Sequence, residues 1–175
     1  AQANNNSSYP SMSADGRFVA FSSYATNLVA NDTNSRYDVF VHDRQTGVTT
    51  RVSVATDGTH GNSESYCPSI SSDGRFVAFY SYASNLVAND TNSSTDVFVH
   101  DRQTGTTTRV SVDSAGNEAS GTSGWPSISA DGRYVGFESY AADLVAGDTN
   151  GQGDVFVRDR QTGTPTRVSA VSSQH

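Results

Sequence analysis

Three acidic loops carry the residues of this sequence that are best suited to chemistry. Each loop has the pattern D-x-N-x-x-x-D, and the copies are Asp32, Asn34 and Asp38; Asp90, Asn92 and Asp96; and Asp148, Asn150 and Asp154. Oxygen-rich side chains at this spacing can wrap a hard cation, because Ca²⁺ takes about six to eight oxygen ligands. The pattern therefore predicts these nine residues as ligands of Ca²⁺, which would be the only cofactor.

The same residues also fit an interpretation without metal. Asp and Asn form turns by hydrogen bonding to their own backbone, and Asp38 could cap the strand that follows it. The loops also differ from an EF-hand, which needs a glycine at its sixth position and a glutamate at its twelfth. Ion binding and turn formation therefore both stay open.

Other polar motifs are better explained by structure than by catalysis. His42 precedes Asp43, but adjacent residues of a strand point to opposite faces and cannot form a hydrogen-bonded pair. Asp43 and Arg51 are expected to form an ion pair between neighbouring strands. The sequence has no G-x-S-x-G elbow, phosphate loop or metalloprotease helix motif. No catalytic residue is predicted, and an enzyme is the less favoured interpretation.

A long internal repeat dominates the chain. Pro10, Pro68 and Pro126 are 58 residues apart, and 38 of 45 positions are identical between residues 10–54 and 68–112. Each unit reads as four strands, which in the first unit are residues 9–13, 17–23, 38–44 and 49–54. A period of this length with strand-like content indicates a propeller or an array. Four antiparallel strands per unit are typical of a propeller blade.

The first half of each unit carries a family signature. The segments "YPSMSADGRFVAF", "CPSISSDGRFVAF" and "WPSISADGRYVGF" resemble the WD-like repeat of TolB-type β-propellers, P-x-x-S-x-D-G-x-x-[VIL]-A-F. The resemblance implies an all-β fold with three four-stranded antiparallel blades. The predicted boundaries are a linker at 1–8, then blades at 9–66, 67–124 and 125–175. The resemblance also implies a secreted or periplasmic location.

Three blades are too few for a closed ring, since propellers typically have about four to eight. Two copies of the chain would supply six blades, the number that the resemblance implies, and we expect such a homodimer. Nine blades from three chains are a less favoured alternative. The chain could also be a piece of a longer propeller.

The repeats differ most informatively just before the conserved proline, where Tyr9, Cys67 and Trp125 stand. A second variable position holds Ser22, Tyr80 and Glu138, and a third includes Tyr37. The first and third lie near the face that carries the long loop between the second and third strands, where propellers often bind ligands. Tyr9, Trp125 and Tyr37 are therefore predicted ligand contacts, with drift at tolerant surface positions as the alternative.

Composition narrows the choice of partners. The net charge is −7, and all 11 basic residues are arginines. An acidic surface does not favour nucleic acid or an anionic membrane, and no apolar run approaches the length of a membrane span. The sequence thus predicts a binding or scaffold module for protein or glycan. A polysaccharide lyase or hydrolase that uses residues from several blades is the alternative.

Overall fold

The chain forms three separate four-stranded sheets with no helix among the residues that the structure describes. The structure is a computed structural model and describes residues 2–171. The first sheet holds β1 (Ser7–Met12), β2 (Phe18–Ser23), β3 (Asp38–Asp43) and β4 (Val48–Arg51). The second holds β5 (Ser65–Ile70), β6 (Phe76–Ser81), β7 (Asp96–Asp101) and β8 (Thr106–Arg109). The third holds β9 (Ser123–Ile128), β10 (Tyr134–Ser139), β11 (Asp154–Asp159) and β12 (Thr164–Arg167).

Each sheet is a simple antiparallel meander whose strands pair in sequence order. The prediction of three four-stranded antiparallel units is therefore confirmed. The first strand of each unit begins two residues before the predicted blade boundary, at Ser7, Ser65 and Ser123. Within 2–171 no helix is long and apolar enough to cross a membrane.

A β-bulge interrupts the first strand of every sheet at the residue before the conserved proline. The register shifts between Ser8 and Ser11 in β1, and the same shift occurs in β5 and β9. Tyr9, Cys67 and Trp125 occupy these bulges with φ of 54°, 50° and 52°. A left-handed backbone is unfavourable for a bulky residue, so the strand bears local strain at the three positions where the repeats differ most.

Alternating side chains explain how the sheets pack on one another. One face of the first sheet, with Ala20, Val39 and Val41, forms a core with Val77 and Phe79 of the second sheet. The equivalent face of the second sheet packs in the same way on Val135, Phe137 and Phe156 of the third. Strands buried on both faces need apolar residues at successive positions, as "FVAF" and "VFV" provide.

A clamp at the turn end of the sheets joins each blade to the next. The guanidinium carbons of Arg17 and Arg102 both lie over the Phe18 ring, at 4.7 Å and 4.5 Å from its centre. Phe18 also covers Gly74 so closely that a Cβ on that glycine would lie 2.2 Å from the Phe18 Cδ2 atom. The next interface repeats this arrangement with Phe76, Gly132 and Arg160.

The two outer faces of the three-sheet stack have no neighbouring sheet packed against them. Val39 and Val97 are fully buried, whereas Val155 at the same repeat position is 40% exposed. At the other end, Phe21 and Leu28 line a cavity of about 580 Å³ on the open face of the first sheet. The chain therefore presents both halves of the interface that it forms twice internally.

Candidate functional site

An arginine lies among the carboxylates of the first acidic loop. Arg51, at the end of β4, places Nη2 2.9 Å from Asp32 Oδ1 and Nη1 3.4 Å from Asp38 Oδ2. All three side chains are almost completely buried. Asn34 turns its amide nitrogen to Asp38 Oδ2 at 2.8 Å, and its oxygen accepts a hydrogen bond from the Arg36 backbone. The three residues of the loop thus lie together, with a guanidinium in contact with the two carboxylates, and calcium binding there stays a prediction.

The other two loops repeat the pairing with different numbers of carboxylates. In the third loop, Arg167 contacts Asp148 at 2.9 Å and Asp154 at 3.4 Å. In the second loop, Arg109 contacts Asp90, Asp96 and additionally Glu118 at 2.8 Å. The carboxylates of that loop lie close enough together to hold one metal ion. With Glu118 from the segment between β8 and β9, three carboxylates contact Arg109, whereas two contact each of Arg51 and Arg167.

The excess of negative charge around Arg109 affects the pKa of Asp90 in the second loop. Burial, followed by the nearby Asp96 carboxylate, raises the pKa of Asp90 to about 6. In the first loop, burial raises the pKa of Asp38, although Ser53 donates a hydrogen bond to it. In the third loop, the hydrogen bond from Ser169 lowers the pKa of Asp154. The three loops share a sequence pattern but differ in their electrostatics.

The predicted Asp43–Arg51 ion pair is wrong in its partners. Asp43 accepts two hydrogen bonds from Arg17, with Nε at 3.0 Å and Nη2 at 2.8 Å, while Arg51 turns to the acidic loop. Arg75 pairs with Asp101 and Arg133 with Asp159 in the same way. Each of these pairs holds the pKa of its carboxyl well below the usual range. The pairs bind the start of the second strand to the end of the third.

The histidines also have structural partners. His100 is buried and its Nδ1 lies 2.9 Å from Thr107 Oγ1, and burial lowers its pKa. Arg158, which replaces it in the third repeat, donates from Nη1 to the Val112 carbonyl at 2.7 Å. Both side chains lie at the junction with the preceding blade.

A line of aromatic rings crosses the loop-bearing side of all three blades. Ring centres are 5.2 Å apart between Tyr24 and Tyr37, and 5.0 Å between Tyr37 and Tyr66. The line continues from Tyr66 to Tyr80 and from Tyr80 to Trp125, at 5.8 Å each. Tyr9 joins it through Tyr66, and Tyr82 through Tyr80. We call these seven residues the aromatic surface.

The structure brings together the three predicted ligand contacts in this surface. Trp125 is 57% exposed and Tyr9 47% exposed, while Tyr37 is half-buried between Tyr24 and Tyr66. The bulge turns Tyr9 and Trp125 out of the regular strand pattern. Whether a ligand binds them stays a prediction.

Sequence reasoning missed the residues that connect these three contacts. Tyr66 and Tyr80 come from β5 and β6 of the second blade, and Glu138 occupies the position of Tyr80 in the third blade. Variation at the Ser22, Tyr80 and Glu138 position was a usable signal. The contact between Tyr80 and Trp125 could not be predicted from the sequence, because it depends on how one blade packs on the next.

Comparison with known proteins gives information on the fold. No family model matches the sequence, and no curated protein matches it. Among solved structures, TolB from Agrobacterium tumefaciens matches with a TM-score of 0.61 and 20% identity, over 93% of this chain and 48% of that one. The chain has the fold of a TolB-type β-propeller. It spans about half the length of that TolB structure, and the resemblance read from the sequence is confirmed.

Propellers of peptidases show the same arrangement of sheets. A prolyl endopeptidase matches with a TM-score of 0.57 and 15% identity, over 95% of this chain and 22% of that one. The acylaminoacyl peptidase of Pyrococcus horikoshii matches with a TM-score of 0.53 and 12% identity, over 94% and 24%. Since the fold supports many unrelated activities, the match to these propellers does not indicate which activity this chain has.

Proposed function

We propose that the protein is a propeller-type binding module whose ligand site is the aromatic surface. The observation that carries this proposal is the continuous line of rings from Tyr24 to Trp125, which crosses all three blades. Partly exposed aromatic residues that cluster in this way are more typical of a recognition surface than of an ordinary solvated surface. Five of them differ from their counterparts in the other repeats, as expected for one site and not for a blade requirement: Tyr9, Tyr37, Tyr66, Tyr80 and Trp125.

The open faces of the first and third sheets support a further proposal, that a second copy of the chain closes the ring. The open face of the third sheet, with Tyr134 and Val155, corresponds to the faces that pack inside the chain. In the first sheet, Arg44 donates to the Gly16 carbonyl at 2.9 Å, as Arg102 does to Gly74. A ring such as Tyr134 of a second copy would fit over Gly16, where Phe18 covers Gly74. Two such seams would close six blades.

We propose calcium binding only at the second acidic loop. Only there, within residues 2–171, do three carboxylates lie close enough to share an ion. Arg109 competes for the same oxygens, so binding would be weak, in the range of about 10⁻⁴ to 10⁻³ M that is known for extracellular modules. A periplasmic or secreted location stays a prediction from the resemblance.

The proposed site is tested on arrays of glycans and peptides with the unmodified chain and with a Tyr37→Ala/Trp125→Ala variant. We expect ligands that bind the unmodified chain to be lost in the variant. Val48→Ala is the control, because Val48 is an exposed apolar residue on the outer strand, 55% exposed and outside the aromatic surface. Ligands that bind both variants equally well would place the site elsewhere on the molecule.

A further inference from the structure

A small cavity lies at the Trp125 end of the aromatic surface, between the second and third blades. Its volume is about 220 Å³, and Tyr80, Tyr82, Trp125, Tyr140 and Glu138 line it together with polar groups of the linker. Typical small-molecule sites measure about 300–1,000 Å³. The cavity therefore suits one compact head group. We call these five residues the cage.

The rings of the cage are arranged as walls. Tyr80 is inclined by 66° to Tyr82 and by 53° to Trp125, with ring centres 6.4 and 5.8 Å apart. Rings set at such angles do not stack flat on one another, and all three line the cavity. Tyr140, whose ring lies over Gly153, forms a further wall. Gly124 leaves room beside Tyr80, because a Cβ there would lie 3.7 Å from that ring.

Charge decides which head group would bind. Among the described residues that line the cavity, Glu138 is the only Asp, Glu, Lys, Arg or His residue. The chain as a whole carries −7, which favours the approach of cations. Aromatic faces attract cations through the ring quadrupole, and aromatic cages recognise quaternary ammonium groups in this way.

We propose that the cage binds an organic cation of the alkylammonium class, with the charged head group between Tyr80, Tyr82 and Trp125 and opposite Glu138. This inference rests on the proposed function, because three residues of the cage form one end of the aromatic surface: Tyr80, Tyr82 and Trp125. A neutral sugar ring would need flat stacking and several hydrogen-bond partners. The inclined walls and the single carboxylate favour a compact cation.

Trp125 provides the measurement, since it is the only tryptophan of the chain. Its fluorescence is followed while the full chain is titrated with choline, and separately with 3,3-dimethylbutan-1-ol, which has the same shape without the charge. Sodium chloride at equal ionic strength corrects for screening. We expect a saturable change with choline and a much weaker one with the neutral alcohol.

Two variants locate the effect. Glu138→Gln should weaken choline binding about tenfold, since loss of one facing charge in a partly dehydrated site has that size. Asp57→Asn is its matched control, because it removes one negative charge from an exposed turn outside the cage. Tyr82→Leu removes an exposed wall that is 57% accessible and should weaken choline binding as well.

Three results would overturn the inference. Equal binding of choline and the neutral alcohol would show an apolar pocket without charge recognition. A response to a neutral oligosaccharide but not to choline would refute the cation site while it leaves the proposed binding function standing. No response to choline, alcohol or oligosaccharide would count against both.

Discussion

The guanidinium of Arg102 in the second blade lies 4.5 Å from the centre of the Phe18 ring in the first. Arg102 is fixed there by a hydrogen bond from Nη1 to the Gly74 carbonyl, and the same ring covers Gly74. Arg160 and Phe76 repeat the contact at 4.6 Å. One local unit thus links each blade to the next, and its incomplete halves remain at the two ends of the chain.

Gly74→Ala should destabilise the chain strongly. Its φ of +73° disfavours any side chain, at about 1–2 kcal/mol, and the added Cβ overlaps the Phe18 ring, at about 1–3 kcal/mol more. Gly105→Ala is the control, with φ of +74° and nothing within 4 Å of its Cβ. Urea unfolding should show the larger loss for Gly74→Ala, and equal losses would refute the clamp.

Arg51→Met should cost about 3–5 kcal/mol of unfolding free energy, because it leaves the buried Asp32 and Asp38 carboxylates without a cation. Arg167→Met is the matched change in the third loop, where the arginine side chain is 24% exposed instead of 4%. Its loss should be smaller, since water screens that pair better. A smaller loss for Arg51→Met than for Arg167→Met would contradict the account of the loops.

Calcium should raise the melting temperature of chelator-treated protein only at millimolar concentration. Asp90→Asn should abolish the rise because it removes one of the three carboxylates of the second loop. Asp148→Asn, the same change in the third loop, should leave the rise intact. A melting temperature that does not respond to calcium in the unmodified chain would exclude the ion.

Asp90 should also make stability depend on pH. Its pKa is about 6 in the folded protein against about 3.9 in an unfolded chain, so the folded state binds more protons in this interval. The contribution of Asp90 to the unfolding free energy therefore falls as pH rises from about 4 to about 6. Asp90→Asn lacks this fall.

The stability of Asp90→Asn relative to the unmodified chain should thus increase over that interval and be constant above it. Urea unfolding at a series of pH values in chelator measures the difference. A pH-independent difference would show that Asp90 titrates normally.

Much of the fold was predictable because the repeat fixes it three times. The alternation in "RFVAF" separates Ala20 from Phe21, and that in "DVFV" separates Val39 from Phe40. The observed cores follow both separations. Asp15–Gly16 and the equivalent residues of the other repeats form the turns between the first and second strands of each sheet, as expected. Local spacing carries this information, since side chains alternate along a strand.

The partners of the charged residues were not predictable from spacing. Arg51 reaches the acidic loop, and not Asp43, because β4 ends beside the start of β3, where Asp38 lies. The aromatic surface depends on contacts between blades, such as Tyr37 with Tyr66. Such contacts follow from the twist and packing of whole sheets, which no short motif encodes.

The oligomeric mass in solution tests the central claim most directly. Sedimentation of the unmodified chain should give twice the 18.5 kDa of one copy, and Val155→Glu should give a folded single copy, because it places a charge on the open face of the third sheet. Val48→Glu, on an exposed strand away from that face, should remain a dimer. An unmodified chain that stays a stable monomer at all concentrations would contradict closure of the propeller by a second copy.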